Sequence, residues 1–226
     1  MDDTTMLDPE PLGKTVWELK NRRPPTSRLA DGSRGTTTAA TEPAPWPRGV
    51  AQALVSEVDP KAMGEMVAAA RERRWPVLLA GPCGVGKSCL AALVASKIPG
   101  WRFIAVSELL AAVVSARTSD AKTVVMRTMA GQEVERSEFD IFRWVEDSPM
   151  LVLDDLGVRR LTEVQGDILL RVCDLRLSKP TIVTTNCDAR QLREFIGDRA
   201  TSRLLAGARI WMDGKDRRDW KRGDHR

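Results

Sequence analysis

Gly81-Pro82-Cys83-Gly84-Val85-Gly86-Lys87-Ser88 decides the fold. The stretch matches Gly-x-x-x-x-Gly-Lys-Ser/Thr in full, and its flanks supply the context that a bare pattern lacks. Before it, Val77-Leu78-Leu79-Ala80 reads as a short buried strand; after it, an apolar run from Gly86 to about Lys97 reads as a helix. Between a strand and a helix, such glycines let the chain curl until backbone N–H groups converge on phosphate oxygens at the helix N-terminus. Gly81, Pro82, Cys83, Gly84, Val85, Gly86, Lys87, Ser88 and Cys89 are therefore the expected nucleotide-binding set. Lys87 should reach the β- and γ-phosphates, and the Ser88 hydroxyl should ligate Mg²⁺.

Working outward, Asp59-Pro60 is an N-cap followed by the residue favoured at the first helical position. Ala62, Met63, Met66, Val67 and Ala70 follow at helical spacing, predicting a helix over 60–73 that Pro76 stops. Downstream, a strand is expected near 102–106, two or three helices over 107–146, and an apolar strand at Met150–Leu153. A helix over 162–178, a strand at Thr181–Thr184, short helices over 188–205 and a last strand at Arg209–Met212 complete the order. Strands alternating with helices predict an α/β fold built on a parallel sheet with helices on both faces. Residues 1–48 differ: Pro24-Pro25, Asp31-Gly32-Ser33 and Pro43, Pro45 and Pro47 describe a turn-rich, irregular segment with seven acids and seven bases. It is expected to be flexible, with Val16–Lys20 as a short stretch for binding a partner, and 49–226 is expected to be the folded domain.

Met150-Leu151-Val152-Leu153-Asp154-Asp155 supplies a second motif. An apolar strand delivers two carboxylates at its C-terminal end, where α/β sheets place their ligands. Asp154 is the expected Mg²⁺ group and Asp155 the group that polarises an attacking water. After a phosphate loop, the pair turns the reading from nucleotide binding to nucleotide hydrolysis. Asn186, ending Val183-Thr184-Thr185-Asn186, has two readings: a polar group beside the γ-phosphate, or an N-cap for the helix that follows. Arg199 and Arg203 lie four apart on one helical face. They form either a solvated basic face or a pair that reaches a neighbouring subunit's nucleotide.

Composition excludes other chemistry. Among 226 residues there is one histidine, His225, and no tyrosine, so imidazole-based nucleophile systems and histidine zinc sites have no basis. Cys83, Cys89, Cys173 and Cys187 form no Cys-x-x-Cys and read as isolated thiols in a reducing cytoplasm. The opening Met1–Glu10 is acidic and lacks the apolar run of a signal peptide, and no stretch approaches the ~18 apolar residues of a membrane span. A net charge of +4 is too mild to identify a partner.

The order Gly81–Ser88, Met150–Gly157, Thr181–Asn186 and Gly197–Leu204, with Asp174-Leu175-Arg176 between, resembles the AAA+ ATPases of the DnaC/DnaI helicase-loader and IstB transposition-helper group. The resemblance covers roughly 50–222, including Trp211-Met212 and Asp216–Trp220. It implies an ASCE-type AAA+ core, ATP with Mg²⁺, and assembly into a ring or spiral. In that assembly Lys87, Ser88, Asp154 and Asp155 act in cis with Asn186 as sensor, Arg203 is the trans arginine finger and Arg199 a second trans contact. It also implies an extra helix within 107–130, where Arg117, Lys122 and Arg127 face single-stranded DNA. Two departures stand out: an irregular segment where loaders of this group carry a folded helicase-binding domain, and Asp155, one methylene shorter than the glutamate common across AAA+ proteins.

The leading expectation is an ATPase that loads a replicative hexameric helicase of the DnaB type onto single-stranded DNA. The alternative is an IstB-like helper of DNA transposition. A small-molecule kinase and a nucleotide-gated interaction module without turnover are the readings from other classes.

Overall fold

The computed structural model describes residues 46–53 and 57–217. Its centre is a five-stranded parallel sheet in the order β2-β5-β6-β1-β7. The strands are β1 (Val77–Ala80), β2 (Arg102–Ala105), β5 (Leu151–Leu156), β6 (Thr181–Thr185) and β7 (Ala208–Trp211). Side chains alternate between two cores, as the pleat requires. Val77, Leu79, Val152 and Ile182 enter one; Leu78, Leu151, Leu153 and Val183 enter the other. The first core is covered by α1 (Pro60–Arg71) and α2 (Lys87–Ala95) through Met66, Ala69 and Leu90. The second is covered by α3 (Val106–Thr118), α4 (Glu138–Glu146), α5 (Glu163–Leu175), α6 (Ala189–Ile196) and α7 (Asp198–Leu205). The expected parallel α/β sheet with helices on both faces is the observed architecture.

Local chemistry sets the ends of these helices. The Asp59 carboxylate accepts from the Lys61 and Ala62 N–H groups at 2.9 and 3.4 Å. Ser137 with Asp140, Thr162 with Gln165, and Asp188 with Gln191 form reciprocal capping boxes for α4, α5 and α6. Asp188, two residues beyond Asn186, is thus the cap of α6, and the N-cap reading of Asn186 is corrected.

A second correction concerns 107–146. Only α3 and α4 are helical there; between them β3 (Thr123–Arg127) and β4 (Glu133–Ser137) form an antiparallel hairpin. The β-branched run Thr123-Val124-Val125 alternates rather than repeating at helical spacing: Val124 and Met126 pack on the core while Val125 is exposed. Gly131 closes the hairpin with φ of 84°, its N–H donating to Thr128 O at 2.9 Å. Of the three bases expected on a DNA-facing helix, only Arg117 is helical, and its guanidinium is bidentate to Glu138 at 2.8 Å. Lys122 sits in the turn before β3, and Arg127 pairs with Glu133 across the hairpin at 2.7 Å.

Arg176, buried at 2% exposure, ties three segments together. Its guanidinium donates to the carbonyls of Val145, Glu146, Ser148 and Pro180 and to the Thr181 hydroxyl, clamping the end of α4 beside the start of β6. Burial pulls its pKa down to about 10, so it stays a cation at neutral pH. Trp46 packs edge-on against Trp101 at 6.3 Å, and its indole N–H donates to Val50 O at 2.8 Å. The Val16–Lys20 stretch and the rest of 1–45 lie outside the described residues, as does His225. No described helix is long and apolar enough to cross a membrane.

Candidate active site

Strand order builds the site. β6 lies between β1 and β5, so the carboxyl ends of these three strands adjoin at one edge of the sheet. β1 runs into the Gly81–Ser88 loop, β5 carries Asp154 and Asp155 just before its last residue, and Asn186 directly follows β6. Gly86 is the N-cap of α2 and has φ of 103° and ψ of 17°, a left-handed backbone that opens the helix without a side-chain cap. The positive end of the helix dipole gives such a helix start an affinity for anions.

Lys87 is buried at 7% exposure. Its ammonium donates to Gly81 O at 2.7 Å, Pro82 O at 2.6 Å and Asn186 Oδ1 at 2.7 Å. The structure therefore brings the first and third motifs into direct contact. Asp154 is linked to the loop by a hydrogen bond with Ser88 and to β6 by Thr184, whose hydroxyl donates to Asp154 Oδ1 at 2.6 Å. The same Thr184 oxygen accepts the Asp155 backbone N–H at 2.9 Å. Asp155 has φ of 61°, an uncommon left-handed conformation for a residue other than glycine, at an irregularity in the β5–β6 pairing between Leu153 and Leu156. This turn points two consecutive carboxylates differently: Asp154 is half-buried and Asp155 exposed.

Burial pushes the Asp154 carboxyl above its ordinary range, and the neighbouring Asp155 charge adds to this. The hydrogen bonds with Thr184 and Ser88, and the Lys87 charge, act in the opposite sense. A desolvated carboxylate beside a hydroxyl is a ready ligand for a hard cation. Among the described residues no group of three or more His, Cys, Asp or Glu side chains is placed to hold a metal ion on its own. Two protein oxygens suit Mg²⁺, which keeps waters and is commonly shared between one or two carboxylates and substrate phosphates.

These groups line one cavity of about 1970 Å³, which also takes in Val50 and Gln52 before α1, Arg127 of the hairpin, and Asp216 and Arg217 after β7. A smaller depression of about 530 Å³ over α4 and α5 contains none of them. Arg199 and Arg203 are not part of the cavity: both are exposed on α7, and Arg203 Nε donates to Asp174 Oδ1 at 2.8 Å. Cys83 is exposed on the loop and Cys89 half-buried on α2, while Cys173 and Cys187 are buried. Thr184 was not among the expected functional residues. Its signal was the pair of hydroxyls that ends the strand after Ile182 and Val183.

Comparison with solved structures places the architecture. The DnaC helicase loader is 22% identical, with 72% of this chain and 93% of that one covered and a TM-score of 0.52. DnaI is also 22% identical, covering 74% and 94% at a TM-score of 0.55. The fold is the parallel-sheet core that these solved structures share. AMPPCP-bound DnaA from Aquifex aeolicus shares this core at 17% identity and a TM-score of 0.53, and the present chain spans about half its length, 50%. At these identities the likeness is one of fold. The sequence itself matches no protein-family model and no curated protein sequence. Within that core, β1 with its loop, the Asp154-Asp155 pair of β5 and Asn186 just after β6 occupy adjacent positions across the sheet.

Proposed function

We propose that the protein binds and hydrolyses ATP and uses that cycle to load a replicative hexameric helicase of the DnaB type onto single-stranded DNA. The observation that carries the hydrolytic part is two hydrogen-bonded links side by side, Lys87 to Asn186 and Ser88 through Asp154 and Thr184 to Asp155. A site that only bound phosphate would need the loop and Lys87 alone. The fold shared with a structure described as a helicase loader, over 93% of that chain, supports the choice of partner.

The chain's own groups divide the work. Backbone N–H groups of the loop and the Lys87 ammonium hold the β- and γ-phosphates. Ser88 and Asp154 would hold Mg²⁺, which when bound offsets charge on the phosphoryl oxygens. Asp155 orients a water and accepts its proton as the water oxygen bonds to the γ-phosphorus; the bond to the β-phosphate oxygen breaks, leaving ADP and phosphate. Asn186 fixes the Lys87 head and borders the γ-phosphate position. Arg203, with Arg199 beside it, reaches the site of the next subunit in a ring or spiral.

The deciding assay mixes the purified full chain with a DnaB-type hexamer and single-stranded DNA. We expect ATP-dependent deposition of the helicase on DNA and loss of that activity in Lys87→Ala. Absence of both helicase binding and ATP-dependent loading would overturn the assignment.

A further inference from the structure

After β7 the chain turns back across the phosphate loop. Met212 N–H donates to Ala80 O at 2.8 Å and Arg217 N–H donates to Gly84 O at 3.0 Å. The Arg217 guanidinium also donates to the Glu57 carbonyl. The strap is therefore pinned to the end of β1, to the bend of the loop, and to the residues before α1. Gly214, Lys215, Asp216 and Arg217 border the same cavity as Lys87, Asp154 and Asn186.

Within the strap, the Asp216 carboxylate is pressed against Gly84. A Cβ built on Gly84 would fall 1.8 Å from Asp216 Oδ1, 2.1 Å from its Cγ and 2.5 Å from Oδ2. All three carboxyl atoms thus occupy the space that any larger residue at 84 would need. Gly84 has φ of 78°, so glycine is required there twice over, by backbone and by the approach of this side chain. Next along the loop, the Arg217 guanidinium lies 3.8 Å from the position of a Cβ on Gly86.

A phosphate-binding turn is a concentration of inward N–H groups at a helix start, and its preferred occupants are anions. A carboxylate held on that turn by two backbone tethers has the right charge and loses little entropy in staying. A nucleotide's phosphates bring like charge to the same bend, and like charges at close range disfavour one another. We infer that Asp216 is a residue that sets nucleotide affinity and exchange: its carboxylate contests the loop with the phosphate chain, and the Asp213–Arg217 strap shifts away as nucleotide enters. This rests on the nucleotide-binding reading of the loop and deepens it. The apparent dissociation constant is then the intrinsic one divided by the fraction of molecules with the strap displaced.

The test uses the full chain and the fluorescent analogue N-methylanthraniloyl-ATP. Wild type, Asp216→Asn, Asp216→Ser and Lys87→Ala are compared for dissociation constant and release rate, with thermal melts as the check on folding. Both Asp216 variants are expected to bind on the order of tenfold more tightly and to release more slowly, the size expected if the displaced strap is a minor population. Trypsin cleavage after Lys215 in wild type should accelerate at saturating ATP. Unchanged or weaker binding by folded Asp216 variants, or cleavage indifferent to ATP, overturns the inference while Lys87-dependent binding by wild type leaves the nucleotide reading standing. If neither wild type nor the Asp216 variants bind the analogue, the nucleotide reading itself falls.

Discussion

The Lys87 ammonium meets the Asn186 amide oxygen at 2.7 Å although the two residues lie 99 positions apart. This contact crosses from the loop after β1 to the residue that follows β6, and it places a neutral polar group against the lysine of the loop. Lys87 keeps two backbone acceptors, Gly81 O and Pro82 O, when Asn186 is removed. Asn186→Ala is therefore expected to bind ATP within about threefold of wild type, while kcat falls by about 10²-fold, the usual loss for one oriented polar group at a reacting centre. Equilibrium binding and steady-state hydrolysis on the same preparation separate the two effects. A proportional loss in both would make Asn186 a binding residue.

Asp155 occupies its left-handed backbone at φ of 61° with its N–H held by Thr184. Asparagine tolerates that conformation as well as aspartate does, so Asp155→Asn removes the charge and spares the turn. We expect an unchanged melting temperature, unchanged nucleotide affinity and a fall in turnover of about 10²–10⁴-fold, the range for loss of a positioned base. Turnover that survives the substitution would take Asp155 out of the role of base. The same variant tested for helicase loading then tells whether binding alone drives the partner.

The sheet and most of the site were legible because their signals are local. Val77–Ala80 is apolar and bounded by Pro76 and a glycine loop, and its observed limits are the predicted ones. Met150–Leu153 carried the same signal, but the strand continues through Asp154 and Asp155 to Leu156, because Thr184 on the neighbouring strand supplies the hydrogen bonds that hold two acids there. A partner thirty positions away leaves no trace in local pattern. The hairpin was missed for a different reason: Thr123–Arg127 and Glu133–Ser137 are only five residues each, the second is mostly charged, and helices flank them on both sides. Asp216 against Gly84 was also beyond reach, since the Asp216–Trp220 stretch has no periodicity and its position depends on where β7 ends.

Asp154 carries a stability cost of burial at a position proposed for the metal ion. Burial raises its carboxyl pKa, so the folded protein holds that proton more tightly than the unfolded chain, whose reference value is 3.8. The sign follows from proton linkage: stability falls as pH rises from the unfolded value through the raised folded one. Asp154→Asn removes the charge and keeps an oxygen for Thr184 to donate to. In Mg²⁺-free buffer at pH 7 the variant should melt above wild type. The gap should close as pH is lowered toward the unfolded value, while Mg²⁺-dependent hydrolysis is lost. A variant that melts lower than wild type at pH 7 would contradict the burial argument.

Arg176 gives the opposite case, a buried charge whose removal is costly. Its guanidinium satisfies four carbonyls and a hydroxyl between α4 and β6. Arg176→Met fills much of the volume and leaves those acceptors unpaired in the interior, a change that costs about 3 kcal/mol or more for a broken buried charge network. Chemical denaturation should show a lower midpoint with an unchanged slope. A loss below about 1 kcal/mol would mean that water replaces the guanidinium.

Arg203 is held in place by Asp174 on α5, at 2.8 Å, and lies outside the cavity of its own chain. A finger that serves a neighbour has to be pre-positioned without blocking its own site, and an exposed ion pair between α7 and α5 meets both conditions. Arg203→Ala is expected to bind ATP normally, with assembled turnover reduced by about 10³-fold or more, the contribution of a trans arginine to phosphoryl transfer. Mixing it with Lys87→Ala should restore part of the activity, because an intact site on one subunit then faces an intact Arg203 on the other. Asp174→Ala should cost less than about 1 kcal/mol of stability, as exposed pairs do, yet reduce assembled turnover several-fold by letting the arginine wander. Mixtures that stay inactive at every ratio, with assembly confirmed by sedimentation, would return Arg203 to a solvated face.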